Sequence, residues 1–369
     1  MPRQMKADSA NSLNHHISGP SLDDPPKGEG IRAVSTDRKL LKKAALFGWP
    51  DWIERIYGSK YLHKLAAHTR LHAQILEDKN FSEHAPFLGD LEVIFSTWGM
   101  PCLTPEQLDC MPSLRALFFA GGSVRSFAHT LLERGIIVVS AWQANAVPVA
   151  EFTLAQILLA AKGYFRNTHS YKSPQDRETA FRGRGNFGET IAILGAGAIG
   201  GKVIELLRPF NLRVIVFDPF LCEERALLLG VEKVSLQAAF ERGYVVSNHL
   251  AGVPETERLL TGDLLASMQP DATFINTGRG ETADEGAMIR VLLARQDITA
   301  LLDVTDPEPP SEGSLLYSLP NVHLTTHIAG SMGNELVRMA DYCFEEFMAW
   351  DRGDPLRYAV SLPMLKTMA

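Results

Sequence analysis

Cysteine is scarce in this 369-residue chain: four residues, Cys102, Cys110, Cys222 and Cys343, far apart and with no CxxC pair. That spacing excludes a disulfide framework or a zinc knuckle and predicts four separate thiols in a reducing compartment. Long hydrophobic runs are also missing. No apolar stretch reaches the roughly 18 residues a bilayer span needs, and the best, Val147–Ala161, is broken by Glu151 and Gln156. The N-terminus has no apolar core of the kind a secretory signal carries, so a cytoplasmic location is expected. An excess of positive charge is absent too. The net charge of −7 argues against a general binder of nucleic acid or anionic membrane. No internal repeat is visible.

What is present is ordinary for a folded protein: 46% hydrophobic and 21% charged residues. The length suits two domains, because single cores stop growing at about 250–300 residues. Residues 1–36 carry Pro, Gly, Ser, Asp and Asn without periodicity and read as a flexible tail. His15 and His16 in that tail are too few and too mobile to predict a metal site, and no metal is expected anywhere.

From Lys43 short apolar runs with strand character (Ala44–Phe47, Val93–Ser96, Ala116–Ala120, Ile136–Ser140) alternate with amphipathic stretches, among them Ser59–His72, Pro105–Met111 and Val124–Arg134. Such alternation predicts parallel βαβ units with helices on both sheet faces. A second series follows: Ile191–Leu194, Arg213–Phe217, Val245–Asn248, Ala272–Asn276, Thr299–Asp303 and Val322–Thr325. Six strands after one fingerprint is the count of a complete dinucleotide domain. Between the series, Val147–Gly163 has helical spacing, and residues 163–187 read as a polar surface loop. Glu335–Trp350 is again helical and is expected to return to the first domain. The boundaries that follow are a tail at 1–36, a first domain at 37–146 joined by 332–369, and a second domain at 147–331.

The strongest motif is Gly195-Ala-Gly197-Ala-Ile-Gly200, directly after a strand and before a helix. Gly195 permits the tight turn, Gly197 a close backbone approach to a pyrophosphate, and Gly200 close helix–strand packing. The pyrophosphate is expected on the N–H groups of Ala198 and Ile199, where the helix dipole favours an anion. Asp218, eighteen residues past Gly200, ends the next strand. A carboxylate there accepts from both ribose hydroxyls and repels a 2′-phosphate, so NAD is expected over NADP. No arginine follows Asp218 at once. Three further segments each end a strand: Asn276-Thr-Gly-Arg279-Gly280, Asp303-Val-Thr-Asp-Pro-Glu308-Pro309 and Thr325-Thr-His327-Ile-Ala-Gly330. Arginine, carboxylate and imidazole at neighbouring strand ends are what reduction of a 2-oxo acid requires.

With these motifs, and with Ala144-Asn-Ala-Val-Pro-Val-Ala-Glu151, the sequence resembles the D-isomer-specific 2-hydroxyacid dehydrogenase family from about Lys43 to Tyr358. The resemblance implies an α/β fold of two doubly wound parallel-sheet domains, flavodoxin-like and Rossmann, around a cleft. It implies that Arg279 grips the substrate carboxylate and that His327 is general acid and base. Glu308 would orient the ring and stabilise its imidazolium form, and Asp303 would bind the nicotinamide carboxamide. Thr277, Gly278, Arg279, His327, Ile328, Ala329 and Gly330 would surround the nicotinamide, and Gly121 and Gly122 would meet the substrate carboxylate. Arg125, Trp98 and Trp142 are candidates for the cavity wall, although core packing accounts for the two tryptophans more simply.

Partners expected are a small 2-oxo or 2-hydroxy acid and a second copy of the chain. The sequence departs from the family pattern in having Thr326 in place of the proline before His327. It also carries Asn248-His-Leu-Ala-Gly-Val-Pro-Glu-Thr256 in place of an apolar-Pro-Leu-Thr version. Glu308 argues against formate dehydrogenase, which has glutamine there. The chain ends about forty residues after His327, so no C-terminal regulatory domain is expected. The rival class is an NAD(H)-sensing, corepressor-like binding protein with the same fold. A Rossmann domain for S-adenosylmethionine would leave Arg279, Glu308 and His327 without a purpose.

Overall fold

The computed structural model describes residues 41–368. The tail and its His15–His16 pair lie outside them. Two largely parallel sheets carry the fold. The first is built from β1 (Lys42–Phe47), β2 (Thr69–Leu76), β3 (Val93–Ser96), β4 (Ala116–Phe119), β5 (Ile137–Ser140) and the late β13 (Ala359–Val360), in the order β13-β5-β4-β3-β1-β2. The second contains β6 (Thr190–Leu194), β7 (Arg213–Phe217), β8 (Glu232–Lys233), β9 (Val245–Asn248), β10 (Thr273–Asn276), β11 (Thr299–Leu302) and β12 (Val322–Leu324), in the order β12-β11-β10-β9-β6-β7-β8. Among the described strands only β13 runs antiparallel to its neighbour. The expected α/β class with two doubly wound parallel sheets is what the chain forms.

The central strands read as unbroken apolar runs because they are covered on both faces; β3, β4, β10 and β11 are buried at every residue. In the second sheet the order reverses between β6 and β9, and in the first between β1 and β3. Ligands of open α/β sheets bind beyond the carboxyl ends of strands at such reversals. The glycine-rich turn follows β6 and the Asn248–Thr256 segment follows β9, so both lie at one switch point.

The helix Trp142–Ala161 starts just after β5 and packs on the helix Ala198–Leu207 and on β9 and β10. It is the one helix among the described residues long and apolar enough to cross a membrane, and 56% of its apolar window is buried inside the protein. The helix Leu336–Arg352 packs on the first helix, Pro50–His68, and on β4. Phe347 stands 5.1 Å from Phe95 and 5.8 Å from Phe118, ring centre to ring centre. Truncating so buried a ring to Ala costs about 3–5 kcal/mol.

Three expectations need correction. The helix read over Ser59–His72 ends at His68, where Thr69 Oγ1 donates to Leu65 O at 2.7 Å and the chain enters β2. Residues 163–187 are not simply a loop: they hold the helix Tyr164–Ser170, pinned by Arg166 Nη1 to Asp271 Oδ1 at 2.6 Å and Asp297 O at 2.8 Å. The second sheet has a seventh strand, β8, too short at two residues to show a pattern.

Candidate active site

The glycine-rich turn meets the demands of a phosphate cradle residue by residue. Gly195 has φ +86°, and a Cβ there would lie 2.9 Å from His249 O. A Cβ at Gly200 would lie 1.9 Å from Gly195 O, so helix and strand pack there without a side chain between them. A Cβ at Gly197 would meet nothing within 4 Å, which leaves that face of the turn open to a ligand. Gly197 is also the helix N-cap and offers no side chain, so the first-turn N–H groups of Ala198 and Ile199 remain for an anion. These residues fit a dinucleotide.

Asp218 follows β7 beside this turn. Its Oδ2 accepts from Ala196 N and its Oδ1 from Phe220 N, each at 2.7 Å. The carboxylate therefore fixes the cradle. Arg225, missed by reading only the residues next to Asp218, donates from Nη2 to Ala196 O at 3.3 Å. It comes one helical turn into Glu223–Leu229, too far along the chain for adjacency to reveal.

Beyond β10 the turn carrying Arg279 is held by buried amides. Asn276 Oδ1 accepts from Asn248 Nδ2 at 3.0 Å and from Gly278 N at 3.1 Å. Asn276 Nδ2 and Thr282 Oγ1 both donate to Arg279 O, at 3.2 and 2.7 Å. Asn248, Asn276 and Thr282 are almost fully buried. The only signal for them in the sequence is an asparagine closing two adjacent strands. The Arg279 side chain donates to Gly278 O at 2.8 Å. Burial lowers its guanidinium pKa from the ordinary value, while attraction to Glu281 and Glu308 works the other way.

Thr277 belongs to a second buried chain. Its Oγ1 lies 3.1 Å from Thr153 Oγ1 and 3.4 Å from His249 Nδ1, and Ser247 Oγ lies 2.9 Å from His249 Nε2. Burial alone depresses the His249 pKa to about 3, so its ring is neutral.

Asp303, 2% exposed, braces the next loop. Its Oδ1 accepts from Thr325 Oγ1 at 2.5 Å and Ile328 N at 2.8 Å, and its Oδ2 from Ala329 N at 2.9 Å. On that loop His327 adopts φ +58°, a left-handed conformation uncommon outside glycine and found where structure over-determines it. Its Nδ1 lies 2.7 Å from Glu308 Oε1, with the two side chains 50% and 43% exposed. A carboxylate oxygen facing Nδ1 makes that nitrogen the donor and leaves Nε2 without a partner among the described residues.

In the first sheet's loop, Gly121 N already donates to Phe119 O at 3.0 Å. The N–H of Gly122 has no acceptor among the described residues. Asn145, on the helix Trp142–Ala161, connects this loop to the histidine loop. Its Oδ1 accepts from Ser331 N at 3.0 Å, and a Cβ at Gly122 would lie 3.2 Å from its Nδ2 and one at Gly330 3.3 Å from its Oδ1. Trp98 packs edge-on against Trp52 at 4.6 Å, while Trp142 buries an indole N–H that has no partner among the described residues. No group of three metal-ligating side chains occurs among the described residues.

A glycine cradle with its acid, and an arginine, an imidazole and a carboxylate at neighbouring strand ends, define a dinucleotide-binding α/β protein of two lobes. Residues 154–329 match the model of the D-isomer specific 2-hydroxyacid dehydrogenase NAD-binding domain. That stretch, just under half of the chain, is the NAD-binding domain of that family, and NAD is the cofactor of the matched domain. The chain is 31% identical over 264 residues to D-3-phosphoglycerate dehydrogenase of Bacillus subtilis (strain 168), and 29% over 262 residues to that of Archaeoglobus fulgidus. In each case the match covers 71% of this chain and 50% of the relative, so the chain spans about half the length of these relatives. In fold it is similar to Rhodotorula graminis D-mandelate dehydrogenase, with TM-score 0.74 and 20% identity over 87% of this chain and 97% of that one. A phosphoglycerate oxidoreductase from Rhizobium etli gives TM-score 0.72 and 24% identity over 86% and 97%.

Proposed function

We propose that this chain is an NAD-dependent D-2-hydroxyacid dehydrogenase, interconverting a small 2-oxo acid and its D-2-hydroxy acid. The observation that carries the reading is the 2.7 Å contact between Glu308 and His327, on a loop braced by Asp303, with Arg279 attracted to the same Glu308. Bound NAD(H) supplies or accepts the hydride at the substrate's C2. Gly195, Gly197, Ala198, Ile199, Gly200 and Asp218 would hold its phosphates and ribose, and Thr277, Gly278, Asp303, Ile328, Ala329 and Gly330 would line its nicotinamide end.

Arg279 grips the substrate carboxylate and polarises the neighbouring carbonyl; a planar guanidinium suits bidentate recognition of a carboxylate. His327 Nε2 gives a proton to the carbonyl oxygen in reduction and takes it back in oxidation. Glu308 keeps the Nδ1 proton in place and stabilises the imidazolium. Gly121 and Gly122 meet the substrate from the other lobe, with Gly122 the better donor because the Gly121 N–H is engaged. Closure of the lobes over the substrate excludes water.

The reading takes residues 37–146 with 332–369 as the substrate domain and 147–331 as the NAD-binding domain. It also includes a cytoplasmic homodimer. Phe181 and Phe187, 84% and 79% exposed, supply apolar surface for pairing. The test is NADH oxidation with glyoxylate, hydroxypyruvate, pyruvate, phenylpyruvate and branched 2-oxo acids. Turnover of at least one is expected. Tight NADH binding without turnover of any would overturn the reading in favour of an NAD(H)-sensing, corepressor-like protein.

A further inference from the structure

Arg125 lies on the loop after β4, three residues beyond Gly122. It is half-buried, and its guanidinium crosses to the other lobe, where Nη1 donates to the carbonyl of Gly252. Gly252 is packed against the turn that carries Arg279: a Cβ there would lie 2.1 Å from Glu281 Oε1 and 3.0 Å from Arg279 Cγ. Arg125 and Arg279 thus approach the same residue from opposite lobes. Their electrostatic situations differ. Arg279 is attracted to Glu281 and Glu308. Arg125 has no carboxylate within ion-pair distance among the described residues, and its guanidinium donates to a neutral carbonyl.

A half-buried cation without a counter-ion at a ligand cleft is costly unless a ligand supplies the charge.

We infer that Arg125 is the specificity-determining residue of this site, and that it binds a second anionic group at the far end of the substrate while Arg279 holds the 2-oxo carboxylate. The substrate is then a 2-oxo or 2-hydroxy acid with a carboxylate or phosphate tail. This inference rests on the dehydrogenase reading for the position of the first carboxylate. A charge-assisted contact of this kind is worth about tenfold to hundredfold in discrimination.

The experiment compares three 2-oxo acids in NADH oxidation: 2-oxobutyrate with an uncharged tail, 2-oxoglutarate with a carboxylate tail, and 3-phosphohydroxypyruvate with a phosphate tail. The wild-type protein should favour one of the two charged tails over 2-oxobutyrate by about tenfold or more in kcat/KM. Which one it favours tells carboxylate from phosphate. In Arg125→Met that ratio should fall to near unity, mainly through KM, and Arg125→Lys should recover part of it. A merely structural role would lower all three substrates together and leave the ratio unchanged, which overturns the inference, as does a wild-type preference for 2-oxobutyrate. Calorimetric titration of the NADH complex with the same three acids keeps the two readings apart. If none is turned over, the dehydrogenase reading fails, and the subsite still stands or falls on whether a charged-tail acid binds more tightly than 2-oxobutyrate in wild type but not in Arg125→Met.

Discussion

Glu308 Oε1 and His327 Nδ1 lie 2.7 Å apart although nineteen residues separate them, because each sits just past the end of a strand of the same parallel sheet. The contact leaves one ring nitrogen for proton exchange. His327→Ala should therefore reduce turnover about 10²–10⁴-fold with little change in NADH affinity. Glu308→Gln keeps the shape and removes the charge. The difference between a charge-assisted and a neutral hydrogen bond is about 1–2 kcal/mol, so a loss of roughly 5–30-fold in kcat is expected. Steady-state kinetics with NADH titrations check both, and a Gln variant as slow as the Ala variant would show that Glu308 does more than support the ring.

Arg279 is held by its own turn through Asn276, Thr282 and Gly278, so its guanidinium is presented in a fixed orientation. A lysine at this position keeps the charge and loses the planar fork. Arg279→Lys should lower kcat/KM by about 10–100-fold, largely by raising KM for the 2-oxo acid. A kcat/KM near that of the wild type would remove the carboxylate grip.

Asp218 accepts from the Ala196 and Phe220 N–H groups, and in the proposed reading it also takes the ribose. Asp218→Ala should loosen the cradle and weaken NADH binding. It should also raise the ratio of NADPH to NADH efficiency by about tenfold or more, because the charge that repels a 2′-phosphate is gone and Arg225 stands beside the same turn. The double variant Asp218→Ala with Arg225→Ala should lose that gain in NADPH use. An unaltered cofactor ratio in the single variant would count against the ribose role.

The strands Val93–Ser96 and Val245–Asn248 coincide with the runs read from the sequence, because every residue in them is buried; Arg213–Phe217 is read from its apolar centre although Arg213 is exposed. β2 was not legible. Its residues Thr69–Leu76 form a sheet edge with a polar outer face, and Leu65, His68 and Leu71 continue a helical spacing across the boundary. In the site, Arg279, Glu308 and His327 were readable because strand order in a parallel sheet brings consecutive carboxyl ends together. The bracing by Asp303, the Thr153–Thr277–His249 chain, Asn145 at Ser331 and Arg125 at Gly252 were not. Apart from the Thr277–His249 and Asp303 contacts within the second sheet, each depends on how the first sheet's loops and the long helix meet the second sheet, and no local pattern records that.

His249 gives the pH dependence its sign. Its ring is buried between Ser247 and Thr277 with the Gly195 turn packed on its backbone, and burial alone depresses its pKa from 6.5 to about 3. The unfolded chain therefore binds a proton at this side chain that the folded protein refuses until the pH approaches 3. Stability from this source is fully present above about pH 6.5 and is lost as the pH falls from there towards 3. Between about pH 7 and 5.5 the loss from one such histidine is about 1.3 kcal/mol. His72 and His323, also shifted down chiefly by burial, add in the same direction. Comparing urea unfolding of the wild type with that of His249→Gln separates the contributions, since the glutamine removes one titrating group and leaves the others. The wild-type loss over this interval should exceed the variant's by about 1.3 kcal/mol. Equal losses would mean that the ring takes up its proton in the folded state, and the Ser247–His249–Thr277 chain would then have to rearrange in acid.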